Sequence, residues 1–290
     1  MGLGIARACA KEGMNIVIAD IRREVIDKAL PEFKAAGWPV LGLELDVTDR
    51  TAYAKAADAA EAEFGNVHLL VNNAGIACKG GPMWNASFKE TDLAVAVNFT
   101  AILNGIQTFV PRMLKHGEES FIVSTSSKAG LLAVVGCGLY NATKQGVIGI
   151  METLAMDLEG TNIGAGVFCP GGYKTDLGNS SNFVNTVHLG VDAPPPLIRE
   201  DGEKPILTGW DDVIRDADDA GVRVVRGVKR GDLYILTHSE FKKGVESRMN
   251  AMLRAFPDEP PLPKYAEVFP YVVYNPIFDK QTQVPALGED

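Results

Sequence analysis

The chain alternates short apolar runs with longer amphipathic stretches, and this alternation restricts the fold more than any other feature. Residues 15–19 (Asn-Ile-Val-Ile-Ala) form an apolar run closed by Asp20, and residues 40–45 form a second with Asp46-Val47 at its tip. Residues 67–71 (Val-His-Leu-Leu-Val) form a third, and Ile122-Val123 and residues 164–169 repeat the pattern. Between them, residues 2–13, 22–36 and 48–65 read as helices, two closed by Gly13 and Gly37 and the third opened by Thr48 as cap. Strand, helix, strand, helix predicts a parallel sheet covered on both faces.

Within the helix that follows the fourth run, Tyr140 and Lys144 are spaced to share one face. A free phenol titrates near ~10, too high for a general base at neutral pH. An ammonium one turn away favours the phenolate and lowers that value, and a helix start at residues 136–139 adds the positive end of the macrodipole. Such a phenol can give a proton to a carbonyl oxygen or take one from an alcohol. Alone, the pair is also what an ordinary amphipathic helix presents. Its neighbours change that: Ser127 ends an apolar run in Ser124-Thr-Ser-Ser127, at the carboxyl end of a strand, where open α/β sheets place their ligand crevice.

Composition narrows the partners. With 290 residues, 46% of them hydrophobic and a net charge of −9, the chain can bury a core and is ill suited to nucleic acid or an anionic membrane. Cys9, Cys78, Cys137 and Cys169 are widely spaced, which predicts reduced thiols and a cytoplasmic protein. The four histidines lack ligand spacing, so no metal site is expected. No signal peptide and no apolar run of the ~18 residues a spanning helix needs is expected either.

Taken together, Asn72-Asn-Ala-Gly75, Asn98 in a helical stretch, Ser127 with Tyr140 and Lys144, and Pro170-Gly171 with Thr175 resemble the short-chain dehydrogenase/reductase family. The resemblance covers residues 1–180 best. It implies an α/β fold of the Rossmann type, a doubly wound parallel sheet, and hydride transfer between a nicotinamide and a carbonyl or alcohol carbon. By this resemblance Tyr140 is the acid/base, Ser127 donates to the substrate oxygen, and Lys144 tunes Tyr140 and reaches the nicotinamide ribose. Asn98 would hold a water linking Lys144 to solvent; a core asparagine that kinks its helix is the plainer reading.

The resemblance also implies the cofactor contacts. Gly2 matches the last glycine of the phosphate-binding turn, and Asp46 and Val47 would meet the adenine. Asn72, Ala74 and Gly75 would line the ribose side, with Pro170, Gly171 and Thr175 at the nicotinamide carboxamide. Asp20, at the end of its strand, would bond the adenosine ribose and repel a 2′-phosphate, favouring NAD over NADP; Arg22 and Arg23 read as a surface pair. A dinucleotide fold begins with a buried strand and a glycine-rich turn, whereas Met1-Gly2-Leu3-Gly4 starts inside that turn. The first strand is therefore expected to be missing from this chain, through truncation of a longer parent or through a degraded site. Residues 268–274 are unsuited to fill the gap because of Pro270.

Residues 1–256 read as one domain with residues 176–208 as a substrate lid, and residues 257–290 as a proline-rich tail. The lid carries Phe183, Val184, Val187 and Leu189, then a proline-rich stretch at 193–196 and a charged one at 199–204. With Leu131, Leu132, Val134 and Val135 it points to a hydrophobic small-molecule alcohol or ketone, aromatic ones included. A helix at 211–220, a last strand at 232–236 and a helix at 238–256 complete the reading. The last strand, the helix after it and the tail are similar to a bacterial subgroup that includes Cα-dehydrogenases of lignin-derived aryl alcohols. Family members assemble as dimers or tetramers through helices matching residues 90–116 and 138–160, so a homodimer or homotetramer is expected. Two other readings are a non-catalytic binding or assembly protein of the same fold, and an epimerase or dehydratase holding NAD tightly.

Overall fold

The computed structural model describes residues 1–190 and 210–285. Helix α1 (Gly2–Lys11) leads into β1 (Ile16–Asp20), α2 (Arg23–Ala35), β2 (Val40–Glu44), α3 (Arg50–Phe64) and β3 (Leu69–Asn72). Helix α4 (Phe88–Val95) passes through one π-helical turn, Ala96–Thr100, into α5 (Ala101–His116). Then come β4 (Ser120–Thr125), α6 (Lys128–Leu131), α7 (Gly138–Asp157), β5 (Ile163–Cys169) and α8 (Leu177–Leu189). After residue 209 the chain adds α9 (Trp210–Val213), α10 (Ala217–Arg230), β6 (Tyr234–Leu236) and α11 (Lys242–Leu253). Three short helices follow in the tail: α12 (Tyr265–Val268), α13 (Pro270–Val273) and α14 (Pro276–Gln283).

All strand pairs are parallel, in two ladders: β1 with β2, and β3-β4-β5-β6. Because parallel neighbours need crossovers, helices cover both faces; the parallel sheet expected from the alternation and the Rossmann-type α/β fold that the resemblance implies are both present. Side-chain alternation along each strand sends successive residues to opposite faces. Ile122, Val167 and Cys169 pack with Ile102, Met113, Val147 and Met151 of α5 and α7. Phe121, Val123 and Phe168 pack with Ile5, Phe33, Ala220 and Val224 of α1, α2 and α10. That second core spans both ladders, since Ile16 of β1 belongs to it. β1 pairs only with β2 and β3 only with β4, so the chain builds outward from each of these edges and the strand order, not the strand direction, reverses between β1 and β3. A reversal of this kind places the ligand crevice at the carboxyl ends of the strands beside it.

Local chemistry shifts several expected boundaries. Asp49, rather than Thr48, caps α3 by accepting the amides of Thr51 and Ala52; Thr48 instead donates its amide and hydroxyl to Asp46 Oδ1. The helix expected over 211–220 is broken in two, because Arg215 pairs with Gly172 and Lys174 and Asp216 starts α10 by accepting the Asp218 amide. The helix expected from His238 starts at Lys242, after a 3-10 turn, because His238 is extended and faces Thr237 Oγ1 at 2.6 Å. Residues 268–274 form no strand, in keeping with Pro270. The tail returns to the body at α14, where Ile277 is buried and Gln281 accepts the amide of Leu233 at 2.6 Å. Phe88–His116 is long and apolar enough by composition to cross a membrane, a feature that no single apolar run revealed; half of its most apolar window is buried inside the fold. The proline-rich and charged stretches expected at 193–196 and 199–204 lie outside the described residues.

Candidate active site

A cavity of about 350 Å³ opens at the carboxyl ends of the strands, walled by Ser127, Tyr140 and Lys144, by Asn73 and Gly75, and by Thr175. Each wall follows from local structure. β4 is buried along its whole length and stops at Thr125, so Ser126 and Ser127 turn directly into the crevice. Ser127 is extended and caps the one-turn helix α6, its Oγ accepting the Ala129 amide at 3.1 Å. α7 begins at Gly138, which puts Tyr140 in its first turn and Lys144 one turn further on the same face. Ser126 Oγ donates to the Lys144 carbonyl at 2.6 Å, fastening β4 to α7. Gly130 permits this closeness: a Cβ there would lie 2.7 Å from the Lys144 carbonyl oxygen and nearer still to Ser126 Oγ.

The electrostatics differ from the expectation. Burial is the largest influence on Tyr140 and pushes its phenol up, while a hydrogen bond with Ser127 pulls it down. Lys144 Nζ donates to the Thr125 carbonyl at 2.9 Å and lies 5.7 Å from the centre of the Tyr140 ring. Burial pushes Lys144 itself down to about 8. In this structure the lysine is spent on the strand end, so desolvation outweighs it at the phenol.

Asn98 sits in the π-helical turn, fully buried. Its Oδ1 accepts the Ile76 amide at 2.8 Å and its Nδ2 donates to the Ile76 carbonyl at 2.9 Å. The side chain thus holds the loop after β3 against the kinked helix. A Cβ on Gly75 would meet Asn98 Oδ1 at 3.1 Å and Lys144 Nζ at 3.3 Å, so both groups face that glycine.

The expected cofactor residues divide. Gly75, Pro170, Gly171 and Thr175 line the cavity with Tyr140 and Lys144. Asn72 does not: its side chain turns into the core, accepting from Tyr53 OH at 3.2 Å and donating to Ser124 Oγ at 3.1 Å. Ala74 is exposed and off the cavity wall. Asp20, Asp46 and Val47 also lie off that wall. Asp20 accepts the Arg22 amide at 2.9 Å, and Val47 gives its carbonyl to Asn104. Asp46 Oδ2 faces His188 Nε2 at 3.1 Å. Arg22, read from sequence as a surface residue, has only 11% of its side chain exposed and donates to Asp176 and Ser180.

Sequence reasoning missed Asn73, whose Oδ1 is buried without a partner. Gly2, at the start of α1, stands against it: a Cβ there would meet Asn73 Nδ2 at 2.8 Å. An unpartnered buried acceptor beside a side-chain-free helix start is a cradle for a polar ligand, so the residues around Gly2, Asn73 and Thr175 fit the nicotinamide half of a dinucleotide. Tyr173 was missed as well; it lines the cavity and donates to Asp219 Oδ2 at 2.8 Å.

The histidines, expected to form no metal site, bring one group together. Ligand atoms of His68, His116 and Glu118 lie within 4.8 Å of one another. They are already committed: Glu118 faces His68 Nε2 at 2.6 Å, and His116 Nδ1 accepts the Glu118 amide while its Nε2 faces the Val67 carbonyl. Spacing along the chain gave no sign of this meeting between the α3–β3 loop and the end of α5.

The chain is similar to known proteins over most of its length. The family model for short chain dehydrogenases matches residues 1–183. The chain is 30% identical over 252 residues to the C alpha-dehydrogenase of a Sphingobium species, covering 87% of this chain and 81% of that one. Among solved structures it is similar to a short-chain dehydrogenase from Novosphingobium aromaticivorans, at TM-score 0.76 and 30% identity, covering 98% of this chain and 94% of that one. A Burkholderia phymatum short chain dehydrogenase/reductase in complex with NAD gives TM-score 0.73 and 30% identity over 90% of this chain and 95% of that one.

Proposed function

This chain belongs to the short chain dehydrogenase family, and from that membership we propose that it transfers a hydride between NAD and the carbon of a hydrophobic, aromatic secondary alcohol or ketone. Oxidoreductase action on alcohols and use of a nicotinamide dinucleotide are common to its dehydrogenase relatives, which also speaks against a non-catalytic role. The observation that carries the finer reading is the convergence of Ser127, Tyr140 and Lys144 on one cavity wall.

A bound nicotinamide supplies the hydride acceptor or donor. Gly2, Asn73, Gly75 and Thr175 are the residues that would hold it beside Tyr140. Tyr140 Oη takes the proton from the alcohol in oxidation and returns it to the carbonyl oxygen in reduction. Ser127 Oγ positions the substrate oxygen against the phenol. Lys144, partly neutral near pH 8, accepts and passes on protons behind Tyr140. Asn98 fixes the Ile76 backbone and thereby the loop that walls the site. Leu177 at the start of α8, with Met1 and Ile76, makes part of the cavity wall apolar, which favours an apolar substrate.

The preference for NAD rests on Asp20 at the end of β1, where a carboxylate repels a 2′-phosphate. A homodimer or homotetramer built through α4–α5 and α7 is consistent with Gly149, where an added Cβ would meet nothing within 4 Å. Gly146, by contrast, is spent inside the chain against Phe99. Four free thiols support a reducing, cytoplasmic setting. Calorimetry with NAD and NADP, using Asp20→Ala as control, tests the cofactor reading: NAD binding that weakens in the variant supports it, and equal affinity for both nucleotides overturns it.

A further inference from the structure

The cavity that holds Tyr140 and Thr175 stops short of Asp20 and Asp46, and the element standing over those residues is α8. Its start is tied to the tip of β1, where Arg22 donates to Asp176 Oδ2 at 2.9 Å and to Ser180 Oγ at 2.8 Å. Its middle is tied to the loop after β3, where the Ala77 amide donates to Ser181 Oγ at 2.8 Å. There Val184 is buried with Ile76, Leu93 and Val97, and Ile21 and Leu189 close over them. Its end is tied to the tip of β2, where His188 Nε2 faces Asp46 Oδ2 at 3.1 Å. One helix therefore spans the tips of β1, β2 and β3, the side of the crevice on which the adenosine half of a dinucleotide would lie.

We propose that α8 covers the adenosine half of the cofactor site, and that Arg22, Ser180 and His188 set the affinity for dinucleotides by holding it there. This rests on the reading that the chain binds a nicotinamide dinucleotide. The catalytic half stays open while the adenosine half is filled by the protein's own side chains. A dinucleotide binds only the fraction of molecules in which α8 has moved, so its apparent dissociation constant is the intrinsic one divided by that fraction. A ligand confined to the catalytic half pays no such tax. The contacts to be broken are four polar pairs and one apolar seat, and polar pairs of this kind contribute individually little but together enough to keep a helix seated.

The test is calorimetric binding of NADH and of reduced nicotinamide mononucleotide to the full chain. Wild type is compared with the Ser180→Ala/His188→Ala double variant and, separately, with Val184→Ala, which loosens the apolar seat without touching a polar group. Circular dichroism establishes that each variant is folded. The expected result is about tenfold tighter NADH binding by the variants, equivalent to about 1.4 kcal/mol, with mononucleotide affinity unchanged. Stopped-flow NADH binding should reach a plateau rate in wild type that rises in the variants. NADH affinity unchanged in both variants would overturn the proposal and leave the hydride-transfer reading standing. An equal gain for NADH and the mononucleotide would overturn it too, because the effect would not be confined to the adenosine half. Absence of NADH binding by wild type and variants alike would remove the dinucleotide reading itself, and this proposal with it.

Discussion

Lys144 Nζ donates a 2.9 Å hydrogen bond to the Thr125 carbonyl and stands 5.7 Å from the centre of the Tyr140 ring. The ammonium is thus held by the end of β4 and buried, and burial lowers it to about 8. An unfolded lysine titrates near 10.4, so between those values the unfolded chain binds more protons than the folded one. Stability therefore rises with pH across that window and is lost as pH falls through about 8. Replacing Lys144 by Met removes this dependence. Urea unfolding at pH 7 and pH 10 should show wild type gaining on the order of 3 kcal/mol relative to Lys144→Met; a pH-independent difference contradicts the buried-lysine account.

Tyr140→Phe removes the proton-transfer group while keeping the ring in place. Turnover should fall about 10²–10⁴-fold, the range general acid–base catalysis contributes. Steady-state kinetics reads the loss, and a thermal melt should show the fold intact.

Ser127 lowers the Tyr140 phenol against the opposing effect of burial. Ser127→Ala should therefore slow turnover and move the rising limb of the alcohol-oxidation pH profile, where Tyr140 gives up its proton, to higher pH. The pH profile of kcat/KM measures this, and a slower enzyme with an unmoved limb would restrict Ser127 to substrate positioning.

Asn98→Ala leaves the Ile76 amide and carbonyl buried without partners. An unsatisfied buried group costs about 1–3 kcal/mol, so denaturant unfolding should register a loss of at least that size. Activity should fall as well, because Gly75 and Ile76 wall the site.

Gly130→Ala inserts a methyl between Ser126 Oγ and the Lys144 carbonyl. Overpacking of this kind costs about 1–3 kcal/mol, and here it pushes α7 away from β4. Loss of activity larger than the loss of stability is the expected outcome, measured by kinetics and melting on the same preparation.

Much of this site was legible in the sequence because its parts are local. Tyr140 and Lys144 share a helix face by spacing alone, and the apolar run before Ser127 fixed that serine at a strand end. What was illegible depends on contacts between distant segments. Asn72 and Asn73 are adjacent and alike on paper, yet the strand's alternation sends the first toward Tyr53 and Ser124 and the second toward Gly2. Arg22 read as a surface residue because its partners, Asp176 and Ser180, lie more than a hundred residues away. The sign of the shift at Tyr140 was missed because desolvation belongs to the folded environment, whereas the lysine's nearness could be counted along the helix. The break at Arg215 was missed for the same reason, since it pairs with Gly172 and Lys174.

The most direct test is the appearance of NADH absorbance when the purified chain is mixed with NAD and a panel of secondary aryl alcohols, beside Tyr140→Phe. Reduction of NAD by at least one of these alcohols, lost in the variant, is the predicted result. NAD bound by the wild type but left unreduced by every alcohol in the panel, with the reverse reaction on the corresponding ketones equally silent, would contradict the proposed reaction.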